Sequence, residues 1–324
     1  MRSIVACLLC ASLLGGCGLE RPSVAEAERA MQPQYAVHEW GLVDVAPDGS
    51  SEIAAGPGRP RPATSDHAPR RKPVLYVHVV TGTPTFSVEV SLDHGRVVEH
   101  WPSATATATG IRWDRVVAER TPCPGLVPGT ASRDARREVE ACGTPDGICE
   151  VRELRSYETS DAACLSVGGA RGSMLFYRGD GPRPPLPLAV ARQADGSVQV
   201  TRTAAFTGDV VRITRSGGAT RIGRVTLSGD SASLAVPAMA VDATAERARL
   251  VREAMALGLT ASEADAFARA WSDELFGPTG GAVARDALIY WLPPSAVDAT
   301  ARLRFAPPPT EVRRAMMVRV DLGG

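Results

Sequence analysis

Two residue types are nearly or completely missing from this chain, and each absence excludes a kind of site. Lys72 is the only lysine among the 36 basic residues, and asparagine does not occur. Lysine Schiff-base chemistry therefore has one possible amine, and there is no N-glycosylation acceptor. Acidic residues also number 36, so the formal net charge is zero. Because nucleic-acid affinity depends on neutralising phosphates, we expect no nucleic-acid partner.

Several catalytic signatures are missing as well. The sequence contains no G-x-S-x-G, S-x-x-K or H-E-x-x-H pattern. No P-loop or G-x-G-x-x-G lies between a strand pattern and a helix pattern, which removes the support for nucleotide binding. We therefore expect no cofactor.

The N-terminus carries an export signal. Ile4 to Leu14 is apolar, is too short to span a bilayer, and leads through two glycines to Cys17. The end of this segment, Leu14-Gly15-Gly16-Cys17, resembles the bacterial lipobox. The resemblance implies cleavage before Cys17 and lipid attachment to its thiol, with a signal peptide at residues 1–16 and a tether at 17–34. The implied location is the outer membrane, facing the periplasm or the cell surface; an ordinary cleaved signal is the alternative.

Short runs of alternating apolar and polar residues indicate a β-rich body at residues 35–236. In the clearest run, every second residue from Phe86 to Leu92 is apolar. With Val74 to Val80 and Arg96 to Trp101, this run predicts a three-stranded block at the centre of the body. Two hairpins are predicted at 186–202 and 210–227, around Asp-Gly and Gly-Gly turns. Such spacing is typical of a β-sandwich or open barrel.

The period changes to helical in the last part of the chain. Ala243 to Leu257 is one predicted helix, and Thr260-Ala-Ser-Glu263 is a capping box that begins a second one, closed by Gly277. Strand patterns follow. We therefore predict a mainly β, α+β fold, in which residues 237–324 supply two helices and C-terminal strands that pack on the body.

Four cysteines lie in a loop-rich insertion at residues 121–165, and an even count in an exported chain predicts two disulfides. Three pairings are possible. The short spacing of Cys142 and Cys149 favours a local loop between them, which leaves Cys123 with Cys164. Zinc is not expected here, because zinc-binding cysteines usually come in closer pairs.

The five histidines all lie in the first third of the chain. Together with Glu39, the set of His38, His78 and His100 could form a hydrolase site, with or without a metal. The alternative is that these are isolated strand and surface residues, and we assign no metal. Convergence of the imidazoles with Glu39 in a cleft would favour the enzyme.

Aromatic side chains in the β body give a second candidate site. Rings on an exposed sheet face can stack on sugars or peptides, whereas rings on the inner face belong to the core. The candidate binding residues are Trp40, Tyr76, Trp101 and Tyr177.

Several segments together resemble a family of uncharacterised exported bacterial proteins of myxobacterial and planctomycete type. The segments that carry the resemblance are His38-Glu39-Trp40-Gly41, Lys72 to His78, Glu99-His100-Trp101, Leu175 to Gly179, Arg269 to Phe276 and Leu288 to Pro293. His78 and His100 stand where the family has other side chains. The resemblance implies no catalytic residue. We therefore expect a non-enzymatic envelope or binding module, with a glycan or an envelope protein as candidate partner, and a periplasmic or surface hydrolase as the alternative.

Overall fold

The structure is a computed structural model, and it describes residues 33–45, 50–54, 73–93, 95–125, 157–182, 184–216, 218–277 and 286–323. These residues belong to one compact unit, Pro33–Gly324. The predicted signal peptide, Cys17, and all but the last two residues of the tether lie outside the described residues. None of the helices described is long and apolar enough to cross a membrane.

A nine-stranded sheet is the frame of the unit. Its strands are β1 (Gln34–Val45), β2 (Ser50–Ala54), β3 (Val74–Thr81), β5 (Arg96–Trp101), β10 (Leu175–Pro182), β13 (Gly208–Ser216), β14 (Ala219–Leu227), β16 (Asp286–Trp291) and β18 (Glu311–Asp321). From one edge the order is β14, β13, β16, β18 and β1. The other edge of β1 pairs with two strands in succession: β3 lies along its first part, up to Trp40, and β2 lies along its last part, from Leu42. Strand β10 pairs with both β3 and β2. Strand β5 completes the sheet beyond β10.

Two smaller sheets complete the β structure. The six-stranded sheet contains β4 (Thr85–Ser91), β6 (Thr105–Ala106), β7 (Gly110–Glu119), β8 (Cys164–Val167), β9 (Ala170–Gly172) and β17 (Arg302–Ala306). The three-stranded sheet contains β11 (Leu188–Arg192), β12 (Val198–Arg202) and β15 (Ser231–Leu234). The mainly β prediction is therefore confirmed.

The predicted central three-stranded block is wrong, although its three strands exist. Strand β3 pairs with β1 and β10, β4 pairs with β17 and β7, and β5 pairs with β10. The turn at Gly82-Thr83-Pro84 thus carries the chain from one sheet to another and does not close a hairpin. The inward face of β4 is as predicted, since Phe86, Val88, Val90 and Leu92 are all buried. Both predicted hairpins, β11–β12 and β13–β14, are confirmed.

Each face of the large sheet has its own hydrophobic core, because side chains alternate across a strand. On one face Val37, Val43 and Leu75 pack with residues of the two smaller sheets. On the other face Trp40 and Leu42 pack with residues of two helices, α1 (Ala243–Ala256) and α2 (Ala261–Phe276). The two-helix layer was predicted. A short third helix, α3 (Pro294–Thr300), was not.

Candidate functional site

Two neighbouring strands bring His38 and His78 together. In the antiparallel register of β1 and β3, Ala36 lies opposite His78 and His38 lies opposite Tyr76. The two histidines are therefore diagonal neighbours on the face that carries the helices. Their ring centroids are 4.4 Å apart. Two of the three predicted site histidines thus form a pair.

The first turn of α2 places a carboxylate between these rings. As the capping box predicted, the Glu263 amide donates to Thr260 Oγ1 at 3.2 Å, and the Thr260 amide donates to Glu263 Oε2 at 2.9 Å. This reciprocal pair fixes both the helix start and the Glu263 side chain. His38 Nδ1 then lies 2.8 Å from Glu263 Oε2, and His78 Nε2 lies 2.8 Å from Glu263 Oε1. We call His38, His78 and Glu263 the His-Glu-His cluster.

The electrostatics of the His-Glu-His cluster favour a charged carboxylate. Burial alone would raise the pKa of Glu263, but hydrogen bonds from His38 and His78 outweigh burial and lower the pKa to about 2. Burial alone would lower the pKa of His78, but its hydrogen bond with Glu263 and the carboxylate charge raise it instead. Such mutual shifts arise where opposite charges meet away from water. The cluster therefore holds an anionic carboxylate that favours the protonated form of His78.

The other two members of the predicted enzyme site lie elsewhere. Glu39 is on the opposite face of β1, fully buried, where Tyr177 Oη donates to it at 2.8 Å and Arg314 Nε donates to it at 2.5 Å. His100 is on β5, with its ring 6.3 Å from that of Trp113. The three imidazoles and Glu39 therefore do not converge. Glu39 is turned away from His38 because neighbouring residues of a strand face opposite sides, and His100 lies on a different strand.

The aromatic candidates belong to the interior. Trp40, Tyr76, Trp101 and Tyr177 are at most 5% exposed, and the first two lie in the core beneath the helices. The ring of Trp40 makes edge contacts with those of Tyr157 and Phe267 at 5.7 and 5.6 Å. These four rings offer no stacking surface to a ligand, so the core alternative is the correct one for them.

A cavity that the sequence did not predict lies between α1 and the large sheet. Its volume is about 320 Å³. Its apolar lining includes Phe206, Leu250, Ile289, Trp291 and Met317. No pattern in the sequence marks it, because its lining comes from strands and helices far apart in the chain.

Charged side chains also line the cavity. They are Asp209, Arg224, Glu246, Arg249 and Glu253. Arg249 bonds to both Glu253 and Asp209 at 2.6 Å, and Arg224 pairs with Glu246. Trp291 Nε1 donates to the other Glu253 oxygen at 3.0 Å. Three carboxylates face two guanidinium groups, so this charged set carries a small negative excess.

Of the four predicted disulfide cysteines, Cys123 and Cys164 are bonded to each other, as the favoured pairing predicted. Cys142 and Cys149 lie outside the described residues, so their pairing remains a prediction.

Comparison with known proteins identifies no family. Neither a family model nor a curated protein matches the chain. A solved structure, the Mu homology domain of Fcho1 from Danio rerio with a bound Eps15 peptide, is similar over 89% of this chain and 96% of that one. The identity is 8% and the TM-score is 0.29. A likeness at this level assigns no functional residue to the present chain.

Proposed function

We propose that this chain is a lipid-anchored protein of the bacterial envelope whose folded body binds a small, partly apolar ligand in the cavity between α1 and the large sheet. The observation that carries the binding function is the cavity itself. Its volume of about 320 Å³ and its mainly apolar lining with a few charged groups match the properties of small-molecule sites.

The charged groups at the cavity favour a ligand with a cationic end. Every guanidinium there already bonds to a carboxylate, and carboxylates are in excess. An ammonium group on an apolar body would satisfy that excess, whereas an anionic group would face like charges. The apolar lining would cover the body of such a ligand.

The binding test uses two fluorescent probes that share an apolar dansyl group. Dansylcadaverine carries an amine and dansylglycine carries a carboxylate. We expect dansylcadaverine to bind at least about tenfold more tightly, a difference of about 1.4 kcal/mol.

A substitution tests whether the probe binds in the cavity. Ala256 is an exposed cavity residue of α1, so Ala256→Phe should fill the cavity and weaken the binding of dansylcadaverine. The matched control is Ala248→Phe, on the same helix but away from the cavity. Equal affinity of the two variants for dansylcadaverine would contradict the cavity as the site.

The envelope location is supported by the lipobox-like ending at Cys17 and by the Cys123–Cys164 disulfide, since disulfides persist in oxidising compartments. The proposed partner there is membrane lipid, through the acylated cysteine. A Cys17→Ser variant should move from the membrane fraction to the soluble fraction, because stable anchoring depends on acyl chains. If the variant stays with the membrane, the lipid anchor is wrong.

A hydrolase at the His-Glu-His cluster is a second candidate function. The observation that favours it is the convergence of His38 and His78 on one buried carboxylate, an arrangement that can orient an imidazole for proton transfer. The test is hydrolysis of p-nitrophenyl acetate and p-nitrophenyl phosphate. Activity that falls at least about 100-fold in His78→Gln but persists in His100→Gln would support this function. Equal activity in the two variants would oppose it.

A further inference from the structure

We propose that His38, His78 and Glu263 form a binding site for a divalent transition-metal ion of the zinc type. Each residue offers one donor atom, and these atoms lie within 4.8 Å of one another. Two imidazoles and one carboxylate are the ligand set of many zinc and non-haem iron sites. The site is separate from the ligand cavity, whose lining includes none of these three residues.

The three ligands are held in place by regular structure. His38 lies within β1 and His78 within β3, two directly paired strands. Glu263 lies in the first turn of α2, where its backbone and side chain are both tied to Thr260. Ligands on rigid elements lose little freedom when an ion binds, so more of the bond energy becomes affinity.

The distances require only a small adjustment to admit an ion. Each imidazole nitrogen lies 2.8 Å from a carboxylate oxygen. Metal–ligand bonds of about 2.0–2.1 Å at tetrahedral angles separate the ligand atoms by roughly 3.3 Å. Where an imidazole nitrogen and a carboxylate oxygen both bind the ion, as for His78 Nε2 and Glu263 Oε1, the pair must open by about 0.5 Å, which side-chain rotation can supply. The ion takes the place of the hydrogen-bonding protons between the two imidazoles and the Glu263 carboxylate.

The carboxylate can bind a metal without loss of the helix cap. Glu263 Oε2 is the partner of both the Thr260 amide and His38 Nδ1, whereas Oε1 has His78 as its partner. An ion bonded to Oε1 and to both imidazoles takes His38 away from Oε2 and leaves the Thr260 amide bond to Oε2 intact.

The exposure of the ligands suits an exchangeable ion. The Glu263 side chain is fully buried, while those of His38 and His78 are 11% and 20% exposed. The opening on the histidine side gives an ion a path to the site. Three protein ligands then leave a coordination position for water, as in catalytic zinc sites.

The experiment titrates the purified full-length protein, stripped of metal with EDTA, with Co²⁺ and with Zn²⁺. We expect one ion per chain by calorimetry, together with the visible absorption of low-coordinate cobalt. His78→Gln and Glu263→Gln should each weaken binding more than about 100-fold, beyond the usual effect of an outer-shell change. Glutamine at position 263 retains the capping box, so that variant is expected to fold. The matched control is His100→Gln, which should bind as the wild type does.

A second measurement keeps the proposal testable if a variant folds poorly. Zn²⁺ should raise the melting temperature of the wild type and of His100→Gln, because an ion that binds only the folded state stabilises it. Mg²⁺, which prefers oxygen ligands, should leave it unchanged. The proposal is overturned if the folded wild type binds no stoichiometric ion, or if His100→Gln weakens binding as much as His78→Gln does.

Discussion

Adjacent residues His38 and Glu39 point to opposite faces of β1 and make unrelated contacts. His38 meets Glu263 beneath the helices, whereas Glu39 bonds to Tyr177 and Arg314 on the side of the smaller sheets. A buried carboxylate is tolerated only when it is paired, because an isolated charge in the interior is costly. Both Glu39 and Glu263 satisfy this condition. Each carboxylate therefore ties β1 to a different part of the fold.

Tyr177→Phe tests the group around Glu39. Removal of one hydrogen bond to a charged acceptor should lower the free energy of unfolding by about 1.5–3 kcal/mol at neutral pH. Burial raises the pKa of Tyr177 well above its ordinary value, and the charge of Glu39 raises it further. A raised pKa means that Tyr177 contributes stability below the unfolded tyrosine pKa, near 10, and loses it as pH rises beyond that value.

The pH dependence separates this contribution from a simple packing defect. In urea unfolding at about pH 8 and about pH 10.5, the stability gap between wild type and Tyr177→Phe should shrink by roughly 0.8 kcal/mol at the higher pH. The reason is that only the wild type has this hydroxyl to ionise on unfolding. A gap that stays constant between the two pH values would show that Tyr177 ionises equally well in the folded state.

At the element scale, α2 begins where its capping box predicts, and Thr260→Ala tests that start. The substitution leaves the Glu263 amide without its hydroxyl partner. We expect a loss of about 1 kcal/mol in the free energy of unfolding, the usual cost of removing a threonine cap. The measurement is urea unfolding followed by circular dichroism.

The control for the cap is Thr244→Ala in the first turn of α1, where Asp242 supplies the cap through its carboxylate. Alanine is a better helix former than threonine, so this change should cost nothing. Equal losses in both threonine variants would mean that the Thr260 hydroxyl contributes no cap.

The pairing of β4 with β7 depends on a close approach at Gly110. A Cβ at this position would lie 1.8 Å from the carbonyl oxygen of Val90, and the backbone of Ser91 leaves no room either. Gly110→Ala should therefore cost more than about 2 kcal/mol, since the strands must separate to admit the methyl group. Gly229→Ala is the control, because nothing lies within 4 Å of the added carbon. Thermal unfolding that ranks the two variants equally would contradict this account.

The sequence predicted the elements better than their partners. Alternation located β4, and local turns predicted the β11–β12 and β13–β14 hairpins, because these signals lie within a few residues. The pairing of β3 with β1 and β10 involves distant segments, which local patterns do not show, so the prediction of β3, β4 and β5 as one block was wrong. Helix α3 was missed because its start at Pro293-Pro294 reads as a loop. Proline at a first helical position was the available signal.

The sequence predicted two of the three residues of the His-Glu-His cluster as site residues, and it missed the third for the same reason. Residue type identified His38 and His78, and the capping box identified Glu263, but only as a helix cap. Glu263 lies 225 residues after His38, and no local pattern connects them. The sheet register and the position of α2 bring them together, which sequence spacing alone does not reveal.

At the scale of the whole molecule, the large sheet joins the two ends of the described chain. Strand β1 is the first described strand and β18 the last, and they pair in parallel from Ala36 with Glu311 to Val45 with Val320. All other strand pairs in the described sheets are antiparallel. The centre of the sheet therefore requires nearly the complete body to be present. We infer that such distant pairing makes folding slow relative to a fold of local contacts.

The Cys123–Cys164 disulfide should contribute to the stability of this whole unit. It spans 41 residues, and Cys164 lies in β8, directly opposite Glu119 of β7. A cross-link of this span removes about 4 kcal/mol of loop entropy from the unfolded chain in the chain-entropy account.

A Cys123→Ala/Cys164→Ala variant should therefore have a free energy of unfolding lower by up to this amount, measured by urea unfolding without reductant. In excess reductant the wild type should lose its advantage and unfold at nearly the same urea concentration as the variant. A stability difference that survives reduction would show that the two sulfurs act through packing in the core, since the cross-link is then absent from both proteins.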